Sequence, residues 1–367
     1  MAEPLKNMFS GSFVETLGDQ IQTVYSSFDK RAFTNFIFDH AWSQRELKDR
    51  MHHISSALRS HLPEDYRKAL GILIHVTKHF RMNDTKISFT DMVFPDFVEH
   101  YGLDDLESSI PALELFTQVS SAEFAVRPFI LRYPDIMLQQ MLVWSRHSSP
   151  HVRRLASEGC RPRLPWAIAL PVFQKDPAPI LPILENLKAD PSEYVRRSVA
   201  NNLNDITKDN PEIVLQIAER WRGLSPETDK LVKHACRTLL KRGNKKALTI
   251  FGTHDASGVS VLSFVSKKKK IFIGDTLDFE TEIRIRKAKT LRIEYAIDFV
   301  KSGGKISRKV FKWREGLYDS GSLKLSKKHR FQNFTTRKHY SGKHAITLII
   351  NGHPIADLDI TLGDSHD

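Results

Sequence analysis

Apolar residues recur every three or four positions through the first 255 residues and then begin to alternate, so the pattern predicts helices followed by strands. Early in the chain, Phe28, Phe33, Phe36, Ile37 and Phe38 supply a bulky stripe, and Leu47, Met51, Ile54 and Leu58 follow at helical spacing. Ser12 to Glu15 and Ser43 to Glu46 read as capping boxes, in which a hydroxyl and a carboxylate satisfy helix-end amides. Pro63-Glu64-Asp65-Tyr66 opens a helix that runs through Val76. The stretch from Met82 to Leu103 reads as loop-rich and Leu106 to Val119 as a helix. Ser120-Ser121-Ala122-Glu123 then starts a further helix, which Pro128 should kink or shorten.

One phrase in the helical part occurs twice. His147-Ser148-Ser149-Pro150-His151-Val152-Arg153-Arg154-Leu155-Ala156 returns as Ala189-Asp190-Pro191-Ser192-Glu193-Tyr194-Val195-Arg196-Arg197-Ser198-Val199, a step of 43 residues from Val152 to Val195. A looser third copy runs from Leu224-Ser225-Pro226-Glu227 into Leu231-Val232-Lys233-His234-Ala235-Cys236-Arg237. Periods of about 40 to 47 residues with two helices each mark HEAT and armadillo arrays. In the first copy, Val152, Leu155, Ala156 and Gly159 make a stripe that can bury. Arg154, Glu158 and Arg161 share another face and set a carboxylate between two arginines. The matching face carries Arg197, Asn201, Asn204 and Asp205 in the second copy and His234, Thr238 and Lys241 in the third. Stacked in order, these helices would line one binding surface with cations, amides and a few acids.

From Ala256 onward, residues 277–286, 291–297, 309–313, 344–350 and 358–362 alternate between apolar and polar, and Gly274-Asp275, Ser302-Gly303-Gly304, Asp319-Ser320-Gly321 and Asn351-Gly352 punctuate them as turns. The last is a hairpin signal. About seven short strands in some 110 residues predict an immunoglobulin-like sandwich, without the Cys-Trp-Cys pattern of antibody domains. The expected organisation is therefore mainly α, with a HEAT-like helical solenoid over 1–255 and an all-β sandwich over 256–367.

Charge sharpens this division. The net charge is +12, and residues 256–367 hold 22 Lys and Arg against 12 Asp and Glu, which leaves 33 against 31 for the rest. A basic surplus of this kind marks affinity for nucleic acid or an anionic surface, although solubility alone accounts for many basic domains. Lys267 to Lys270 and Lys327-Lys328-His329-Arg330 fall at expected loops. No apolar run approaches the roughly 20 residues of a membrane span, and the first residues lack the apolar core of a signal peptide. Cys160 and Cys236 are the only cysteines. Neither has a CxxC partner, so the expectation is a reduced, cytoplasmic protein without a disulfide scaffold or zinc finger. His52, His53, His75 and His79 have no Glu at metal-ligand spacing and read as solvated or packed side chains.

Three acids are candidates for chemistry. By spacing alone Glu123 ties down a helix end, yet Arg127 four residues on repeats the acid-beside-arginine theme of Glu158. Asp205 comes third, since an acid late in a helix is often a solvated terminus. Arg161-Pro162-Arg163-Leu164-Pro165-Trp166 is a rigid corner, where Trp166 reads either as core or as a platform for a sugar or cationic base.

Three segments together carry a resemblance: Ser121 to Arg127, Glu158 to Trp166, and Tyr194 to Asp205. They look like the AlkC branch of the HEAT-like-repeat alkylpurine DNA glycosylases, across the helical part and with a similar appended sandwich. The resemblance implies excision of cationic 3-methylated bases, chiefly 3-methyladenine and 3-methylcytosine, from duplex DNA by a monomer without cofactor or metal, and a lesion reached by bending DNA rather than through a deep base pocket. N3 alkylation makes the base a neutral leaving group, so a carboxylate need only stabilise the oxocarbenium-like sugar. Glu158, Glu123 and, third, Asp205 are the implied acids. Arg127, Arg154, Arg161, Arg163, Trp166, Arg197, Asn201, His234, Arg237, Lys241 and Arg242 are the implied DNA contacts. Two other classes share the repeat: a non-catalytic HEAT scaffold for nucleic acid, which would release no base, and a protein-binding solenoid, which would need an acidic partner.

Overall fold

The structure, a computed structural model, describes residues 3–82, 88–334 and 338–364. The chain forms two compact units, one made of residues 1–210 and 222–235 and the other of residues 211–221 and 236–367. Strands do begin just after residue 256, but the unit that holds them also takes in helices on either side of residues 222–235.

Helices of the first unit are α1 (Gly11–Val24), α2 (Lys30–Ile37), α3 (Leu47–His61), α4 (Tyr66–Phe80), α5 (Val93–Tyr101), α6 (Leu106–Phe116), α7 (Val126–Arg132), α8 (Pro134–Trp144), α9 (Pro150–Gly159), α10 (Pro171–Lys175), α11 (Leu181–Leu187) and α12 (Glu193–Ile206). The chain then gives α13 (Pro211–Trp221) to the second unit and returns for α14 (Pro226–Ala235). Short side chains set several starts: Ser10 accepts the Phe13 amide, Asp65 that of Lys68 and Asp105 that of Ser108. Two expected caps move. The first helix is capped by Ser10 rather than Ser12, and the box at α3 is formed by Glu46 with Asp49. The stretch expected to be loop-rich contains α5, because Phe94, Phe97 and Val98 bury one face of it; residues 83–87 of that stretch lie outside the described residues. Of the early phenylalanine stripe, Phe28 and Phe33 are buried with Ile37, whereas Phe36 and Phe38 are partly exposed.

The 43-residue repeat is visible bond by bond. Arg153 donates from Nη1 to the carbonyls of His147 and Ser148, and Arg196 does the same to those of Asp190 and Pro191. Val152, Leu155 and Ala156 of α9, Val195 and Val199 of α12, and Leu231 and Val232 of α14 are all buried, with α12 packed against both α9 and α14. At the end of α9 a Cβ on Gly159 would lie 2.6 Å from Val126 Cγ2, so only glycine lets α9 approach α7 this closely.

In the second unit, α15 (Arg237–Lys241) and α16 (Lys245–Ile250) precede eight strands: β1 (Val259–Ser266), β2 (Lys270–Phe272), β3 (Thr276–Ile285), β4 (Lys289–Val300), β5 (Ile306–Tyr318), β6 (Gly321–Arg330), β7 (Gly342–Ile350) and β8 (His353–Gly363). They form a three-stranded sheet, β1-β3-β6, and a five-stranded sheet, β2-β8-β7-β4-β5. Phe279 of the first meets Tyr295 of the second edge to face at 5.2 Å, inside a core that includes Ile297, Phe331 and Ile346. This is the immunoglobulin-like sandwich expected from the alternation. Asn351 and Gly352 both take positive φ and close the β7–β8 hairpin as their sequence predicts. Lys327 to Arg330 lie within β6, paired to β3, and not in a loop. The inward positions that continue from Leu323 and Leu325 are Lys327 and His329, so the run of charge hides the alternation.

Both cysteines are free and buried, and burial pushes each thiol up to about 12. Among the described residues no helix is long and apolar enough to cross a membrane.

Candidate active site

The site lies in the first unit, where the turn before α7 meets α9 and α12. Glu158 sits in the last turn of α9 and is 5% exposed. Its Oε1 is 2.5 Å from Arg161 Nη1 and 3.6 Å from Arg154 Nη2, so the predicted arginine-carboxylate-arginine face exists. Its Oε2 accepts from Ser198 of α12 at 2.6 Å, and Ser157 is bonded to the same hydroxyl at 2.6 Å. Both oxygens of Glu158 are therefore held by protein. Asp205 is held too, with Arg161 Nε at 2.9 Å on one oxygen and Lys208 Nζ at 3.0 Å on the other.

Glu123 differs. The segment from Ser120 forms turns rather than a capped helix, and α7 begins only at Val126, with Pro128 in its first turn. Glu123 is drawn instead into a cluster in which its Oε2 accepts from both Ser121 and Arg154, and Arg154 also donates to Ser121 at 2.7 Å. Its Oε1 has no hydrogen-bond partner among the described residues, and its side chain is 15% exposed. Of the three acids, this one keeps a carboxylate oxygen uncommitted.

The arginines divide by what holds them. Burial opposes the charge on Arg154, but Glu123 and Glu158 outweigh it and raise its pKa; Arg161 is raised in the same way against burial by Glu158 and Asp205. Arg154 also lies 5.2 Å from the ring centre of Tyr194, an exposed aromatic that the sequence reading did not single out. The signal for Tyr194 was its place on one helical face with Arg197 and Asn201. His151 lies 5.9 Å from the same ring, its pKa lowered by burial and then by Arg154.

Arg127, expected as a DNA contact, lies inside the fold instead. The side chain is 0% exposed and donates to the carbonyls of Ile168 at 2.6 Å, Gly159 at 2.9 Å and Arg161 at 2.8 Å. Burial pulls its pKa down to about 10. It clamps the corner that follows α9, with its side chain closed off from solvent. The corner carries Trp166, which is 66% exposed and therefore not core, one of its two expected readings, and its φ of 64° is unusual for a bulky residue. Lys48 donates to the Trp166 carbonyl at 3.0 Å and lies 5.0 Å from the Phe124 ring centre, which ties this corner to the Glu123 turn.

The remaining candidates are spread more widely. Arg163 forms a bidentate pair with Asp209 at 3.0 and 2.7 Å. Arg197 is exposed and pairs with Glu193 at 3.0 Å, while Asn201 meets His234 at 3.2 Å. Arg197 and His234 line a groove of about 580 Å³ between α12 and α14, together with Arg196 and Lys230. Arg237, Lys241 and Arg242, expected as DNA contacts, belong to the second unit, where Lys241 and Arg242 line a cleft with Glu294 and Arg308.

Helical repeats with an acid-arginine cluster on successive helices, in one chain with an immunoglobulin-like sandwich, define a HEAT-like-repeat protein of a particular kind. A family model described as "Uncharacterised protein YhaZ, C-terminal Ig-like domain" matches residues 260–364. The chain is 43% identical to YhaZ of Bacillus subtilis over 97% of its own length and 98% of that protein. It superposes with a TM-score of 0.93 on Pseudomonas fluorescens alkylpurine DNA glycosylase AlkC bound to DNA containing an abasic site analog, at 36% identity, covering 98% of this chain and 100% of the other. The chain belongs to the AlkC family of HEAT-like-repeat proteins.

Proposed function

We propose that this protein is a DNA glycosylase of base excision repair that releases cationic N3-alkylated bases, 3-methyladenine and 3-methylcytosine, from duplex DNA. The observation that carries this reading is the state of Glu123: a carboxylate fixed on one oxygen by Arg154 and Ser121 and open on the other. The likeness to a solved alkylpurine DNA glycosylase bound to DNA supports it.

The chemistry suits the residues. Alkylation at N3 leaves the base positively charged, so when the bond to C1′ breaks its electron pair neutralises the base, which departs without a general acid. Positive charge passes to the deoxyribose, water adds its oxygen to C1′, and the proton is lost to solvent. A fixed anion beside C1′ stabilises that cation, and a preorganised charge does so without reorganising as the bond breaks. Glu123 is assigned that role. Glu158 and Asp205 hold Arg154 and Arg161 in place, which is a positioning role, since both oxygens of each acid are taken. Arg154, Arg161, Arg163 and Arg197 face the flanking phosphates, with Arg163 and Arg197 exchanging their carboxylate partners for DNA. Trp166, projecting from its constrained corner, stacks against the bent duplex, so the lesion is reached without a deep pocket.

The test is single-turnover excision of 3-methyladenine and 3-methylcytosine from defined duplexes with enzyme in excess. Glu123→Gln keeps the shape and removes the charge, so excision should slow by about 10²-fold or more, while binding of lesion DNA holds or tightens. Wild-type protein that binds these duplexes and releases neither base would leave a nucleic-acid-binding scaffold; a Glu123→Gln protein as fast as wild type would remove this acid from the mechanism.

A further inference from the structure

Away from the acid-arginine cluster, α3 and α5 pack side by side and bring three metal-ligating side chains together. His52 comes from α3, and Asp96 and His100, one turn apart, come from α5. One donor atom from each lies within 4.8 Å of the others. The two imidazoles are open to solvent and in ring contact at 3.9 Å between centres. Between them Asp96 is only 4% exposed, and its Oδ2 has no hydrogen-bond partner among the described residues, standing 3.5 Å from Nδ1 of His52 and 3.5 Å from Nδ1 of His100.

A buried carboxylate oxygen without a hydrogen bond is costly, and neutral imidazoles leave it without a counter-charge. Among the described residues, the two imidazoles are the ion-pair partners of Asp96 within 4 Å. Glu99, beside His100, adds a second acid, and Lys48 of α3 acts on Glu99. We propose that His52, Asp96 and His100 form a binding site for a borderline divalent transition-metal cation, zinc foremost, with the remaining coordination positions open to water. Two imidazole nitrogens and one carboxylate are a ligand set that zinc takes, whereas calcium and magnesium favour all-oxygen sites. His100 donates Nδ1–H to the Asp96 carbonyl at 2.9 Å; ligation through Nε2 keeps that bond, whereas ligation through Nδ1, the nitrogen 3.5 Å from Asp96 Oδ2, replaces it. Occupied, the site braces α3 to α5 and is independent of the glycosylase assignment. Local spacing could not reveal it, because His52 and Asp96 are 44 residues apart in sequence.

The experiment is calorimetric titration of the untagged, metal-free full chain with zinc chloride, paired with cobalt(II) absorption in the visible range. One equivalent should bind and raise the melting temperature, and cobalt should give the d–d bands of a low-coordinate site. His52→Gln and His100→Gln, both at exposed positions, should each weaken that equivalent by at least about tenfold with the metal-free melting temperature held. Asp96→Asn tests the buried ligand, and circular dichroism shows whether it folds. Zinc binding unchanged in the double histidine variant overturns the proposal, as does a wild-type chain that takes up no zinc and only protonates its histidines against Asp96.

Discussion

At the scale of single residues, acids that look alike in sequence are separated by what bonds them. Glu158 is closed in by Arg161 and Ser198, while Glu123 shares Arg154 and Ser121 and leaves Oε1 open. The two should therefore fail differently. Glu158→Gln keeps the Ser198 contact but takes the charge from a buried pair, and we expect a loss of about 1 to 3 kcal/mol in stability, read as a lower denaturation midpoint, with slower excision following from loosened arginines. Glu123→Gln should slow excision with a smaller fall in midpoint, since its side chain is more exposed and Glu158 still pairs with Arg154. Equal midpoints for both variants would mean that Glu158 is less firmly bound into the fold than its contacts indicate.

At the scale of elements, the corner after α9 is the part whose geometry most depends on a distant side chain. Arg127 gives three hydrogen bonds to carbonyls of Gly159, Arg161 and Ile168, and no secondary structure replaces them. Arg127→Met keeps most of the volume and strands those carbonyls, so unfolding should become easier by about 3 kcal/mol or more, and amide hydrogen exchange should rise first over 160–170. Exchange that rises evenly along the chain would argue against a local clamp. The helices around this corner were legible in the sequence because a repeat copies its own bonds: the Arg153 pattern returns at Arg196, one period later. The corner has no copy. Its arginine therefore passed for a surface cation, when burial had made it part of the frame.

At the scale of the whole molecule, the basic surplus of residues 256–367 gives the sandwich a function to test. Lys267, Lys268 and Lys269 are exposed in the connection between β1 and β2. If they meet DNA, changing all three to glutamine should weaken binding to methylated and plain duplexes alike. The dependence of log Kd on log salt should also flatten, by about 0.9 for each phosphate left without its lysine. Anisotropy titrations over a range of potassium chloride measure both quantities. Unchanged affinity and slope would assign the sandwich another purpose. Such substitutions are a cleaner probe than cutting the chain near residue 255, because α13, α15 and α16 share a compact unit with the strands and a cut would divide it.

The sequence by itself determined the helix-then-strand order, the 43-residue repeat, the hairpin at Asn351-Gly352 and the placing of Glu158 between two arginines. The repeat follows from the chain's likeness to itself, and the others from periods of 3.6 and 2 or from turn chemistry, which act over a few residues. Tertiary structure decided which acid keeps a free oxygen, since Glu123 meets Arg154 across 31 residues. It also decided that Arg127 is buried, that Trp166 is exposed, that α13 joins the strands, and that His52 finds Asp96 and His100. Each depends on which faces of distant helices come together, and hydrophobic burial drives that association without direction, leaving the polar partners to be fixed by the packing it produces.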